Sequence, residues 1–372
     1  MRKILLAVTL IAMLCGVSSA DMVYMTSSGN LGTIQINSSS DIEVAGIQYT
    51  GTTSSPLLTS YWNGRGTTLA LIDRNATASG DRAYVFTPND LTKYSYSADI
   101  DGVYGTSGAG YAENGYSLFL TTGSKIYEVE TSNFEVLNSF DCASVISSDG
   151  YATEIKDIIV GTQTIHVIAS AGESLRYIRF DGQLKNGVNY FLSSDINAGS
   201  SVIQVRGDIP LIGHNFGIDA MNYDRKFYRL LSSDNPVKAM CHDSGNGYFY
   251  ATQYQNGNKY VNTIMHSVED SQFTPATIEA ASANIKMLRD NNNTDTFAVM
   301  TNEGITLFTY SNNQTSRHEY KSSSLGGTPA GLVAATVSGY DGYSSSNGCN
   351  ASGMGIIILG LAMLMRRVKR AE

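Results

Sequence analysis

The feature that most constrains this chain is a unit that recurs along it: a short strand, a turn, a second strand, a turn and a third strand of alternating residues. The clearest copy is Glu154 to Val160, Thr164 to Ala169 and Leu175 to Phe180. A second is Val237 to His242, Tyr248 to Gln253 and Tyr260 to His266, and a third is Ile285 to Arg289, Thr296 to Met300 and Ile305 to Tyr310. Gly172, Asn256, Gly257 and Gly304 stand in the turns after the second strands, where tight hairpins require positive φ. Weaker copies are Leu57 to Trp62, Thr67 to Ile72 and Arg82 to Thr87, then Tyr104 to Tyr111, Ser117 to Thr121 and Lys125 to Glu130. The poorest is Val202 to Arg206, Ile218 to Met221 and Lys226 to Leu231. Lys93 to Ser97, Val136 to Phe140 and Val188 to Leu192 are expected as fourth, outer strands. A spacing of roughly 50 residues between units marks a repeat architecture.

The two ends are incomplete in matching ways. Met22 to Thr26 and Leu31 to Ile36 read as second and third strands with no first, and Gly331 to Val337 reads as a first strand with no followers. Pairing them closes a ring and removes the exposed sheet edges, which is how a β-propeller is completed. The expected fold is therefore all-β: a propeller of seven four-stranded blades, with six or eight left open by the irregular fifth unit. A pair of β-sandwiches or a β-helix is the competing architecture. Neither accounts for the matching incomplete ends.

The extremities carry an address. Arg2 and Lys3 precede the apolar run Ile4 to Leu14, and Ser18-Ser19-Ala20 offers small residues for a signal peptidase, so cleavage between Ala20 and Asp21 is expected. At the other end, the polar spacer Ser344-Ser345-Ser346-Asn347 leads to Gly348-Cys349-Asn350-Ala351. The apolar segment 353–365 and the cluster Arg366-Arg367-Val368-Lys369-Arg370 follow. Basic residues of this kind are retained on the cytoplasmic side, with the preceding chain outside. The expected organisation is a signal peptide (1–20), a propeller-like domain (21–340), a linker with sorting motif (341–352), a hydrophobic transmembrane segment (353–365) and a basic tail (366–372).

This order of parts resembles the Synergist-type CTERM protein-sorting domain over residues 344–371, and the layout is shared by Myxo-CTERM tails. The resemblance implies a bacterial cell-surface protein whose tail is cut by an intramembrane protease of the glutamic type. It implies that Gly348, Cys349, Asn350 and Ala351 are the recognition and processing residues, with Cys349 able to carry a lipid. It implies nothing about the body.

Taking the leader's two cations and the tail's four cations and one anion from 25 Lys and Arg and 33 Asp and Glu leaves 19 against 32, a net charge near −13 for the body. That argues against nucleic acid as a partner, because phosphate backbones select a basic footprint. Cys142 and Cys241 fall in different repeat units, so two buried thiols are expected rather than a disulfide framework.

Motifs of catalysis are missing. The five histidines, His166, His214, His242, His266 and His318, follow no metal-ligand spacing. Gly105-Thr106-Ser107-Gly108-Ala109-Gly110 lacks the lysine and helix of a phosphate loop and reads as a flexible glycine-rich strand or loop. Asp99-Ile100-Asp101-Gly102 and Asp290 to Asp295 offer oxygens to a calcium ion but read better as turns. No catalytic residue, cofactor or metal ligand is assigned. The leading functional reading is an exported surface-displayed binding protein for a glycan or protein ligand. An extracellular propeller glycosidase or polysaccharide lyase and a structural envelope protein are the alternatives.

Overall fold

A computed structural model describes residues 21–36, 42–49, 56–62, 66–112, 115–146, 153–161, 164–172, 174–181, 183–185, 187–191, 202–206, 209–222, 224–243, 247–268, 273–289, 296–311 and 314–335. The strands described there pair into seven antiparallel sheets of four. Numbered in chain order, blade 1 is β28 (Pro329–Ala334), β1 (Met22–Thr26), β2 (Leu31–Ile36) and β3 (Ile42–Tyr49). Blade 2 is β4 (Leu57–Trp62), β5 (Thr67–Asp73), β6 (Gly80–Phe86) and β7 (Tyr96–Asp101). Blade 3 is β8 (Gly108–Tyr111), β9 (Ser117–Thr122), β10 (Lys125–Glu130) and β11 (Val136–Asp141). Blade 4 is β12 (Thr153–Val160), β13 (Thr164–Ala171), β14 (Ser174–Asp181) and β15 (Val188–Phe191). Blade 5 is β16 (Val202–Arg206), β17 (Ile209–His214), β18 (Gly217–Met221) and β19 (Phe227–Ser232). Blade 6 is β20 (Val237–His242), β21 (Tyr248–Asn256), β22 (Lys259–His266) and β23 (Ala276–Ala280). Blade 7 is β24 (Ile285–Arg289), β25 (Thr296–Thr301), β26 (Gly304–Ser311) and β27 (Gln314–Lys321).

The innermost strands touch in succession, from β28 through β4, β8, β12, β16, β20 and β24 and back to β28. The body is therefore a closed seven-bladed β-propeller. Its seam is the expected one: β28 supplies the first strand of the blade that β1 and β2 begin, with Met22 opposite Ala334, Val23 opposite Val333 and Tyr24 opposite Leu332.

Burial follows position within a blade. Second strands lie between neighbouring blades and are buried on both faces, as in β1, β9, β13 and β25. In β1 the alternation divides the side chains between two cores. Val23 and Met25 pack with Leu58, Leu69, Leu71 and Phe86 of blade 2, whereas Met22 and Tyr24 pack with Ala298, Ile305 and Leu307 of blade 7. Fourth strands flank solvent and alternate instead, as β19 does. Aromatic rings join blades 6 and 7: Phe249 of blade 6 stacks on Phe297 of blade 7 at 4.1 Å, and Phe297 in turn stacks on Phe308 of its own blade at 5.1 Å.

Several expected boundaries are corrected. In blade 5 the second strand is β17, so Ile218 to Met221 belongs to the third strand and Lys226 to Leu231 to the fourth. Pro210 conceals β17, because a residue without an N–H argues against a strand, and only Asn215 and Phe216 separate β17 from β18. The fourth strand of blade 2 starts at Tyr96 rather than Lys93, the first of blade 3 at Gly108 rather than Tyr104, and the seam strand spans Pro329–Ala334 rather than Gly331 to Val337.

The glycine-rich stretch at 105–110 is not a flexible loop. Its beginning is held by the fully buried carboxylate of Asp81 in β6. One oxygen accepts from the backbone N–H of Asn75 at 2.7 Å and of Gly105 at 2.8 Å. The other accepts from the Thr106 N–H at 2.8 Å and its hydroxyl at 2.6 Å. Asp81 thereby fixes the path from blade 2 into β8. Gly105 takes the positive φ (+69°) that this path needs, and Gly110 leaves room for Val160 of blade 4, whose Cγ2 a Cβ would meet at 3.0 Å.

Residues 1–20 and 336–372 lie outside the described residues, which therefore include Asp21 but not Ala20, Gly348, Cys349, Asn350 or Ala351. Among the described residues no helix is long and apolar enough to cross a membrane.

Candidate functional site

First strands line the channel of a propeller, so a residue at the right parity of β12, β20 or β24 faces the axis while its neighbours enter the core between blades. Three lysines occupy such positions. Lys238 stands between the buried Val237 and Ala239, Lys286 precedes the buried Met287, and Lys156 follows the buried Ile155. An apolar strand thus presents one cation to the channel in each of blades 4, 6 and 7.

The three converge on one cavity of about 720 Å³. Its wall takes Lys156 from blade 4, Lys238 from blade 6, Lys286, Met300 and Asn302 from blade 7, and Ser27, Thr328 and Pro329 from blade 1. A cavity reaching from blade 4 to blades 7 and 1 lies across the ring axis. Its loop residues belong to turns between second and third strands, or to the segments that lead into first strands. That places it at one end of the channel, on the face where the first strands begin. The volume falls within the usual range for ligand pockets.

The described side chains of the wall include three lysines and no carboxylate, on a body of net charge near −13. Two carboxylates stand close by on β12. Glu154 pairs with Lys156 two residues away, on the same side of the strand. Asp157 draws on Lys286 across the channel and accepts from the Ile158 N–H at 2.9 Å. Lys286 is exposed at the mouth; desolvation by the surrounding wall lowers its pKa below the usual lysine value, with Asp157 opposing the shift. Burial also lowers the pKa of the half-buried Lys238. A low-dielectric wall around these charges concentrates their field at the mouth.

The residues singled out in the sequence lie elsewhere. His166 is fully buried, 2.6 Å from both the Thr164 and Tyr177 hydroxyls. His214 is also fully buried; its Nδ1 accepts from the Phe216 N–H at 3.1 Å, and its Nε2 lies 3.1 Å from Asp219, which also takes the Arg229 guanidinium at 2.6 Å. On the opposite face, His266 lies 3.0 Å from Asp243, at the ends of β22 and β20, with Phe249 against its ring. Among the described residues no group of His, Cys, Asp and Glu could hold a metal ion. Asp99 lies on β7 and binds Arg82 at 2.6 Å, and 290–295 fall outside the described residues. Cys142 and Cys241 are both buried and lie outside any disulfide, and burial pushes the Cys142 thiol up to about 12.

Sequence reading missed the lysines although the signal was present. Ile155-Lys156, Val237-Lys238-Ala239 and Ile285-Lys286-Met287 set a lysine beside apolar residues in the first strand of each of the three clearest repeats. Single lysines in separate repeats gain meaning only when the ring brings them together.

No family model matches the chain, nor does any curated protein sequence. Solved structures share the fold. A protein from Lactobacillus plantarum superposes with a TM-score of 0.56 at 11% identity, over 84% of this chain and 98% of that one. Hsv2 of Kluyveromyces lactis does so with a TM-score of 0.50 at 9% identity, over 80% and 94%. The dihydro-heme d1 dehydrogenase NirN, in complex with DHE, gives 0.49 at 8% identity over 85% and 75%. At such identities the likeness is one of fold alone.

Proposed function

We propose that this protein is an exported propeller displayed at a bacterial cell surface, where it binds a ligand at the mouth of its channel. The observation that carries the binding reading is the wall of that mouth: lysines from three blades around a ligand-sized cavity whose described wall residues include no carboxylate.

Export and display rest on the two ends of the sequence: the leader cut between Ala20 and Asp21 by a signal peptidase, and the sorting tail centred on Gly348-Cys349-Asn350-Ala351. The geometry of the body is compatible with both. Asp21 lies at the start of β1, where its N–H donates to Ile34 and its carbonyl accepts from Ala335, both at 3.0 Å. The two ends of the body therefore leave side by side, on the face opposite the lysine mouth.

Fractionation of cells carrying Cys349→Ala tests the tail: the variant is expected to remain unprocessed or to be released. Unchanged localisation and mass would refute the processing assignment. Binding is tested with a glycan array and a pull-down on the purified protein, and turnover of a polymer without a retained ligand would overturn it.

A further inference from the structure

We infer that the mouth takes an acidic oligosaccharide, with uronate-type carboxylates held by Lys156, Lys238 and Lys286 and sugar hydroxyls held by the neutral polar groups between them. The inference rests on the mouth being the ligand site, and is independent of export and display.

Three observations support it. First, the charge at the wall opposes that of the molecule: the body carries a large net negative charge, and the cations meet where a ligand-sized cavity opens. A local field of this sign draws anions to a protein that otherwise repels them. Second, the wall is mixed. Besides the lysines it carries the exposed Ser27, Thr328 and Asn284, which provide hydroxyl and amide groups able both to donate and to accept. A simple anion needs donors only; a polyhydroxylated anion uses both kinds.

Third, the cations stand on strands of blades 4, 6 and 7 rather than on one loop. They are fixed points spaced around the mouth, suited to a ligand whose charges repeat along its length. The neighbouring carboxylates balance the site without filling it: Glu154 steadies Lys156, and Asp157 opposes the lowered pKa of Lys286, favouring its charged form. Met300 adds an apolar surface in the same wall for the carbon face of a sugar ring.

The test is calorimetric titration of the purified full-length protein with three probes: tri-galacturonic acid, the neutral maltotriose and inorganic pyrophosphate. Tri-galacturonic acid is expected to bind, with affinity falling as salt rises. Lys238→Gln and Lys286→Gln should each weaken it about tenfold or more, as loss of a charge-assisted hydrogen bond does. Thermal melts of both variants establish that they fold, and Lys156→Gln is the replacement should either fail.

Maltotriose bound as tightly as the tri-uronate, and lost in the same variants, would overturn the acidic class while leaving the mouth as a ligand site. Pyrophosphate bound as tightly as the tri-uronate would replace sugar recognition by a bare anion site. A glycan or protein partner that binds the Lys238→Gln/Lys286→Gln double variant unchanged would overturn both the inference and the placement of the ligand at the mouth.

Discussion

The Asp81 pocket and the lysine mouth bring charge into the same ring and treat it in opposite ways. Asp81 is sealed from water and each of its oxygens accepts two hydrogen bonds, three of the four from Gly105 and Thr106 on the path between blades 2 and 3. The lysines stand around a void, with Glu154 beside Lys156 and Asp157 acting on Lys286. A buried charge whose hydrogen bonds are complete supports structure, whereas a charge held at a cavity costs stability and remains available to a ligand. The difference separates groups that hold the fold from groups that serve it.

The contrast can be broken at its strongest point. Asp81→Ala strands three backbone N–H groups and a hydroxyl in the interior, and is expected to cost about 3–5 kcal/mol in urea unfolding. A loss below about 1 kcal/mol would mean that water replaces the carboxylate and that it is no staple.

The mouth should respond with the opposite sign and a smaller size. Burial lowers the pKa of Lys238 and Lys286 in the folded state, so between that lowered value and the unfolded one near 10.5 the unfolded chain holds more protons. The resulting penalty is fully present below the folded pKa and fades as the pH rises through it. Lys238→Gln and Lys286→Gln should therefore raise the melting temperature at pH 7, with a gain that shrinks as the pH climbs towards 10.5. A destabilised Gln variant, or a gain independent of pH, would show that these lysines serve the fold as Asp81 does.

Arg82→Ala marks the lower end of the scale. Its pairing with Asp99 is short, but the side chains are 40% and 35% exposed, so solvent screens the interaction. The expected change is about 0.5 kcal/mol or less by the same unfolding measurement. A larger loss would show that the outer strands of blade 2 depend on this pair.

How much of this was legible in the sequence depends on how local the signal was. In blades with a turn glycine and clear alternation, such as 4, 6 and 7, the first three strands could be read one by one. The seam could be read because its halves lacked complementary strands. Blade 5 was misread where Pro210 interrupts a buried strand. The outer strands β23 and β27 were not read at all, because strands facing water carry little apolar pattern: Arg317 to Glu319 are all exposed. The mouth was illegible for a different reason. Its lysines share no motif, and only closure of the ring makes neighbours of them. Asp81 escaped for the same cause, since its partners at 105–106 belong to the next blade.

The seam also sets the order of assembly. Of the described strands, synthesis supplies β1 first and its partner β28 last, so the pair that closes the ring has the longest sequence separation among the described strand pairs. Until β28 arrives, the apolar side chains of β1 and an unpaired backbone edge stay open to whatever chain passes. A product cut short before Pro329 would lack the partner of β1 and leave that edge uncovered.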